Sequence, residues 1–229
     1  MTFLESIWNE IEEDHTWRTD EIRFFQNQLV NVPTEPQKDQ FRRAIVLLLY
    51  AHFEGFCKFA FTLYVNAVNR QSIKCKEANF SIAAASLADL FNALRNPDKK
   101  NQVFRNSLPN DEKLHRFARD KDFVEESDNF NERTVLIPDD VVDMESNLKP
   151  VVLRKNLFRL GFSHDSFESI EGEINKLLNY RNKIAHGAAR EGLSRDELEG
   201  LTNAALRIMR EVKQTVMDAL TNRKYLKAS

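Results

Sequence analysis

Apolar side chains recur at helical spacing along most of the chain, and strand-like alternation is confined to the pentad RTVLI. In residues 2–30, Phe3, Ile7, Trp8, Ile11, Ile22, Phe25 and Leu29 keep one helical face apolar. Thr2 followed three positions later by Glu5 has the form of a capping box, which marks where that helix starts. The segment VPTEP ends it and starts a second helix, expected from about Pro36 to Asn69. The centre of this second helix, IVLLLYAHFEGFCKFAFTLYV, is apolar on nearly every side, as befits a helix packed all round. It is long enough to suggest a membrane span, but His52, Glu54 and Lys58 interrupt it, and such groups are costly in lipid. It is therefore expected to be the buried helix of a soluble bundle, with no membrane partner.

A shorter helix is predicted in SIAAASLADLFNALR, ended by Asn96-Pro97. From 96 to 147 charges, Asn and Pro dominate, with one short helix expected near DEKLHRFARD. This stretch is too poor in apolar residues for a second core, so the chain reads as a single domain, 1–229, with a polar insertion at 96–147. Helical periodicity returns in LKPVVLRKNLFRLGF, stopped by Gly161, and in SFESIEGEINKLLNYRNKIAHG after an expected Asp165 cap. Ser194 and Glu197 form a second capping box, opening a last helix through LEGLTNAALRIMREVKQTVMDAL. The expected fold is all-α, a bundle of four or five main helices with an inserted polar segment.

Composition changes this picture little. The chain has 229 residues, of which 42% are hydrophobic, enough for a sizeable core. Lys+Arg 33 against Asp+Glu 35 gives a net charge of -2, so any nucleic-acid binding must rest on a local basic patch. Cys57 and Cys75 form no disulfide framework and no metal-ligand spacing. The acidic, amphipathic N-terminus lacks the form of a signal peptide, and a reducing cytoplasm is the expected location. There is no P-loop, GxGxxG, zinc spacing or nucleophile elbow, and neither metal nor cofactor is expected.

Candidate chemistry lies in NYRNKIAHG, residues 179 to 187. Ile170, Ile174, Leu177 or Leu178, and Ile184 or Ala185 follow one another at three- and four-residue steps, and Arg181 falls on that stripe. A guanidinium there must be paired, reach a cavity or sit at an interface. His186 lies five residues on, ~140° around an ideal helix from Arg181, so the two converge only if the last turn frays at Gly187. Asn182 and His186, at i and i+4, are neighbours. A histidine before a terminal glycine is equally a plain helix ending. Glu54, between Phe53 and Phe56, either pairs with Lys58 or faces the motif helix to hold Arg181 or His186. The second reading is preferred, because a carboxylate among aromatics needs a strong partner. Tyr50 reads as core and His52 as structural, while His15, His115 and His164 read as solvated. Lys183 and Arg190, with Lys176 and Arg195, flank the motif and are candidates to guide a phosphate backbone.

The hexad Arg181-Asn182-Lys183-Ile184-Ala185-His186 resembles the arginine, four to six residues, histidine signature of the HEPN superfamily. Its place at a helix end, with LLLYAHFEGFCKFAFTLYV far upstream, is similar to the prokaryotic MAE-type and RiboL-PSP-type HEPN proteins. The resemblance covers roughly 36 to 70 and 145 to 220, leaving out the first helix and the insertion. It implies a HEPN bundle and a metal-independent endoribonuclease, dimeric, acting on RNA in a toxin-antitoxin or antiviral defence setting, with an antitoxin or defence-system partner. It implies Arg181, Asn182 and His186 as catalytic residues: Arg181 neutralising the scissile phosphate, Asn182 positioning phosphate or histidine, and His186 acting as general acid or base. It is also compatible with a non-catalytic HEPN module that binds a protein partner or nucleotide.

Overall fold

The computed structural model describes residues 2–187 and 193–228. Its described residues form eight α-helices and short 3-10 turns, with no strand beyond isolated bridges. Four helices make the main body: α1 (Phe3–Gln28), α2 (Glu35–Asn69), α7 (Glu171–Ala185) and α8 (Arg195–Thr221). The smaller helices are α3 (Phe80–Ser86), α4 (Ala88–Arg95), α5 (Glu112–Ser127) and α6 (Pro150–Arg159).

The α2 helix is the axis of the bundle. It packs against α1, α7 and α8, and Val46, Leu49, Phe53, Phe56, Cys57, Ala60 and Phe61 along it are fully buried. Although α2 is long and apolar enough to cross a membrane, its neighbouring helices account for its apolar character. Both capping boxes form: Thr2 N–H donates to Glu5 at 2.7 Å, and Ser194 N–H donates to Glu197 at 3.0 Å. Gly161, at φ +77, closes α6 through the bond from Phe162 N–H to the Leu157 carbonyl.

Two expectations are corrected. The predicted helix over 80–95 is broken at Leu87 into α3 and α4, where Ser86 Oγ accepts the Leu136 N–H at 2.8 Å and ties the break to a distant segment. The motif helix starts at Glu171 rather than behind an Asp165 cap, because a 3-10 turn at Glu168–Ile170 brings Phe167 and Ile170 into the core. The 96–147 segment builds no core of its own among the described residues; beyond α5, its Val135, Ile137, Val142 and Met144 are buried in the common core. RTVLI runs extended beside residues 73–75, with Val135 N–H bonded to the Ile73 carbonyl at 2.8 Å. The Asn69 side chain grips both main-chain groups of Ile137, accepting at 2.8 Å and donating at 3.0 Å.

Candidate functional site

Ile174, Leu177 and Leu178 hold α7 against the bundle. One turn further along the stripe, the half-buried Arg181 meets α2, with its Cζ 5.1 Å from the Tyr50 ring centroid. An electron-rich ring face attracts a guanidinium there without neutralising it. Arg181 Nη1 also donates to Asn182 Oδ1 at 2.9 Å. No carboxylate among the described residues lies at ion-pair distance from Arg181, so the buried ion pair that would make it merely structural is not what holds it.

His186 is the C-cap of α7, its N–H bonded to the Asn182 carbonyl at 3.0 Å, and Gly187 follows at φ +70. Its imidazole is exposed and has no hydrogen-bond partner among the described residues. The α7 backbone stays helical through Ala185, so the fraying that would swing His186 toward Arg181 does not occur within the helix. Lys183 is exposed beside them, and Arg190 lies outside the described residues.

Glu54 makes no hydrogen bond or ion pair with Lys58, Arg181 or His186. Its Oε2 accepts the Tyr50 O–H at 2.8 Å and the Leu148 N–H at 3.0 Å, and the same N–H is 2.8 Å from the Tyr50 oxygen. The expected direct hold on Arg181 or His186 is not what Glu54 makes; it bonds Tyr50, whose ring lies against Arg181. Burial first, and then the bond to Glu54, push the Tyr50 phenol well above its usual value, so it stays a neutral donor. Sequence reasoning read Tyr50 as plain core. The signal it left was the i,i+4 spacing of Tyr50 and Glu54 on one helical face.

Directly before Arg181 on α7, the Tyr180 hydroxyl donates to Glu197 of α8 and braces the two helices. That bond, followed by the Ser194 N–H and hydroxyl, pulls the Glu197 carboxyl down to about 2.

The other histidines divide. His52 is buried as expected, edge-on to Trp17 at 5.1 Å, with Nε2 2.7 Å from Glu21 Oε2 but out of line for a hydrogen bond. His164 is exposed. His115, expected in solvent, is buried, with Nδ1 accepting the Asn101 N–H at 3.2 Å and Nε2 2.9 Å from the Leu108 carbonyl. His15 is half-buried against Phe56 rather than solvated, and its Nε2 lacks a partner among the described residues. No group of three or more His, Cys, Asp or Glu among the described residues could hold a metal ion.

The family model for MAE_28990-like HEPN proteins matches residues 7–225. The chain belongs to this HEPN family. No curated protein and no solved structure matches it. The HEPN match takes in α1 and the 96–147 segment, both outside the resemblance carried by the motif. This agrees with the burial of Ile7, Ile11, Val135 and Ile137 in the common core. The insertion is part of this HEPN body, and Leu148, the residue directly after it, bonds Tyr50 and Glu54.

Proposed function

We propose that this HEPN protein is a metal-independent endoribonuclease, and that Arg181, Asn182 and His186 carry the chemistry. The observation behind this reading is the setting of Arg181: a half-buried guanidinium, held by Asn182 and the Tyr50 ring, without a carboxylate partner among the described residues. Such a charge is available to an anion, and a phosphodiester fits it. In this mechanism the RNA 2′-OH attacks the adjacent phosphorus, the P–O2′ bond forms and the P–O5′ bond breaks. His186 moves a proton, either from the 2′-OH or to the departing 5′-oxygen. Arg181 stabilises the charge that accumulates on the phosphate, and Asn182 holds Arg181.

Because a single chain leaves His186 exposed and unjoined to Arg181, the working unit of the proposal is a homodimer in which two copies of the motif share a cleft. Leu47 and Ala51, exposed on α2 next to Tyr50 and Glu54, offer apolar surface for that pairing. A toxin-antitoxin or defence role in the cytoplasm, with RNA as target, belongs to the same reading. The separation of Arg181 from His186 in one chain is also what a partner- or nucleotide-binding HEPN module would show.

Incubating the purified protein with total RNA in EDTA tests the proposal. Wild type is expected to yield 2′,3′-cyclic phosphate and 5′-hydroxyl ends, and RNA methylated at the 2′-oxygen of the cut site is expected to resist. Arg181→Ala and His186→Ala should each lose about 100-fold or more of activity. With no buried anion to orphan, both should melt within about 2 °C of wild type. Intact RNA with wild type, or unfolded alanine variants, would return the motif to a binding or structural role.

A further inference from the structure

The Tyr50 side chain does three things at once. Its ring face lies under the Arg181 guanidinium, its hydroxyl donates to Glu54 on the next turn of α2, and its oxygen receives the Leu148 N–H. A tyrosine needed only for packing would be served by phenylalanine. Here both ends of the side chain are committed, one to the fold and one to the arginine.

We infer that Tyr50 is a positioning residue for Arg181, and that Leu148, directly after the inserted segment, fixes the ring in place for that task. The inference rests on the reading of Arg181 as the phosphate-binding group. Arg181 has four rotatable side-chain bonds and no ion pair among the described residues to restrain it. Asn182 holds one nitrogen, and the adjacent ring limits the rest of the group to one side. The ring itself cannot rotate away without breaking the bonds to Glu54 and Leu148. Pre-setting a cation costs nothing at the moment the transition state forms, whereas gathering a loose one does. Tyr50 would thus act on turnover more than on RNA affinity. Because the ring meets Arg181 while the hydroxyl anchors the ring, phenylalanine, which keeps the ring but not the anchor, should fall between tyrosine and leucine.

The test compares full-length wild type, Tyr50→Phe and Tyr50→Leu on a fluorogenic single-stranded oligoribonucleotide. Melting curves are taken beside the kinetics. The expected result is a kcat for Tyr50→Leu lower by about 2- to 30-fold, the range a cation over a ring accounts for, with KM nearly unchanged. Tyr50→Phe should lie between wild type and Tyr50→Leu. A second measurement requires no catalysis: proton NMR of the Arg181 side chain, assigned with Arg181→Lys, should show an upfield ring-current shift in wild type and in Tyr50→Phe. Should Tyr50→Leu fail to fold, the wild-type and Tyr50→Phe spectra still decide the pairing. Absence of the shift in wild type would overturn the inference. So would a folded Tyr50→Leu as fast as wild type, or a Tyr50→Phe as slow as Tyr50→Leu. A wild-type protein that shows the shift but leaves RNA intact would overturn the ribonuclease reading and leave the Tyr50–Arg181 pairing standing.

Discussion

Asn182 Oδ1 accepts a hydrogen bond from Nη1 of its own neighbour, Arg181, at 2.9 Å. Adjacent helical residues do not share a face, so only the length of the arginine side chain lets the two meet. Asn182→Ala is expected to free the guanidinium and lower RNA cleavage by about 10-fold, the worth of a hydrogen bond to a charged group. Asn182→Asp keeps an acceptor but adds a negative charge where the phosphate must arrive, and should lose more. Initial rates on one RNA substrate check the order; an Asp variant faster than the Ala variant would contradict it.

Glu54 and Lys58 separate stability from surface charge. Glu54→Leu leaves the buried Tyr50 O–H without its acceptor, and the Leu148 N–H with the Tyr50 oxygen alone, at a cost of about 1–3 kcal/mol. Glu54→Gln retains an acceptor and should cost less. Lys58 is exposed, and Lys58→Met should stay within about 0.5 kcal/mol of wild type. In RNA cleavage the same order is expected, with Glu54→Gln below Lys58→Met. Urea unfolding and cleavage rates together test it.

Stability should fall as the solution is acidified below neutrality. Burial, ahead of the nearby Arg18, lowers the pKa of His52, against the opposing pull of Glu21 and Asp14. Burial and Lys213 lower that of His15, with Arg210 adding to them and Glu12 and Asp14 opposing. A histidine depressed in the folded state binds fewer protons folded than unfolded. Its contribution is therefore complete above the unfolded value of about 6.5 and is lost as pH falls through the lower folded value. Urea midpoints at about pH 7.5 and about pH 5.5 should differ in wild type, and His52→Gln should narrow the gap. A gap that His52→Gln leaves unchanged assigns the effect elsewhere.

Two glycines with positive φ should respond differently to alanine. At Gly161 a Cβ would fall 2.6 Å from Asn79 Nδ2 and 3.0 Å from its Oδ1, and that side chain caps α3 and bonds the Lys224 carbonyl. At Gly187 a Cβ meets nothing within 4 Å among the described residues. Gly187→Ala carries only the left-handed backbone strain, about 1–2 kcal/mol, and Gly161→Ala should exceed it by at least about 1 kcal/mol. Chemical denaturation of the two variants makes the comparison.

What was legible in the sequence was local. Thr2 with Glu5 and Ser194 with Glu197 marked two helix starts, because a capping box needs only residues three apart. Gly161 marked a helix end for the same reason. The break at Leu87 is tied through Ser86 to Leu136, fifty positions from Ser86, and no spacing within 80–95 records it. The insertion looked polar by composition because its few apolar residues are scattered, yet Val135, Ile137, Val142 and Met144 all find the core. At the site, Arg181 stood out as a charge on an apolar stripe, while the role of Tyr50 stayed hidden. Half of its setting is the main-chain N–H of Leu148, a group that every residue but proline carries and that no sequence pattern can single out.

The tie from Leu148 to Tyr50 and Glu54 spans 98 and 94 positions of chain. Closing so long a loop is an entropic step that local helix formation cannot shortcut, and contacts of that separation form late in folding. The α2 helix can thus assemble well before the ring beneath Arg181 is fixed. Activity should lag behind helical signal during refolding, by the time the insertion takes to wrap. A stopped-flow trace that follows far-UV dichroism and RNA cleavage together would measure that interval. A chain interrupted before Leu148 would be helical but without the anchor that orders its arginine site.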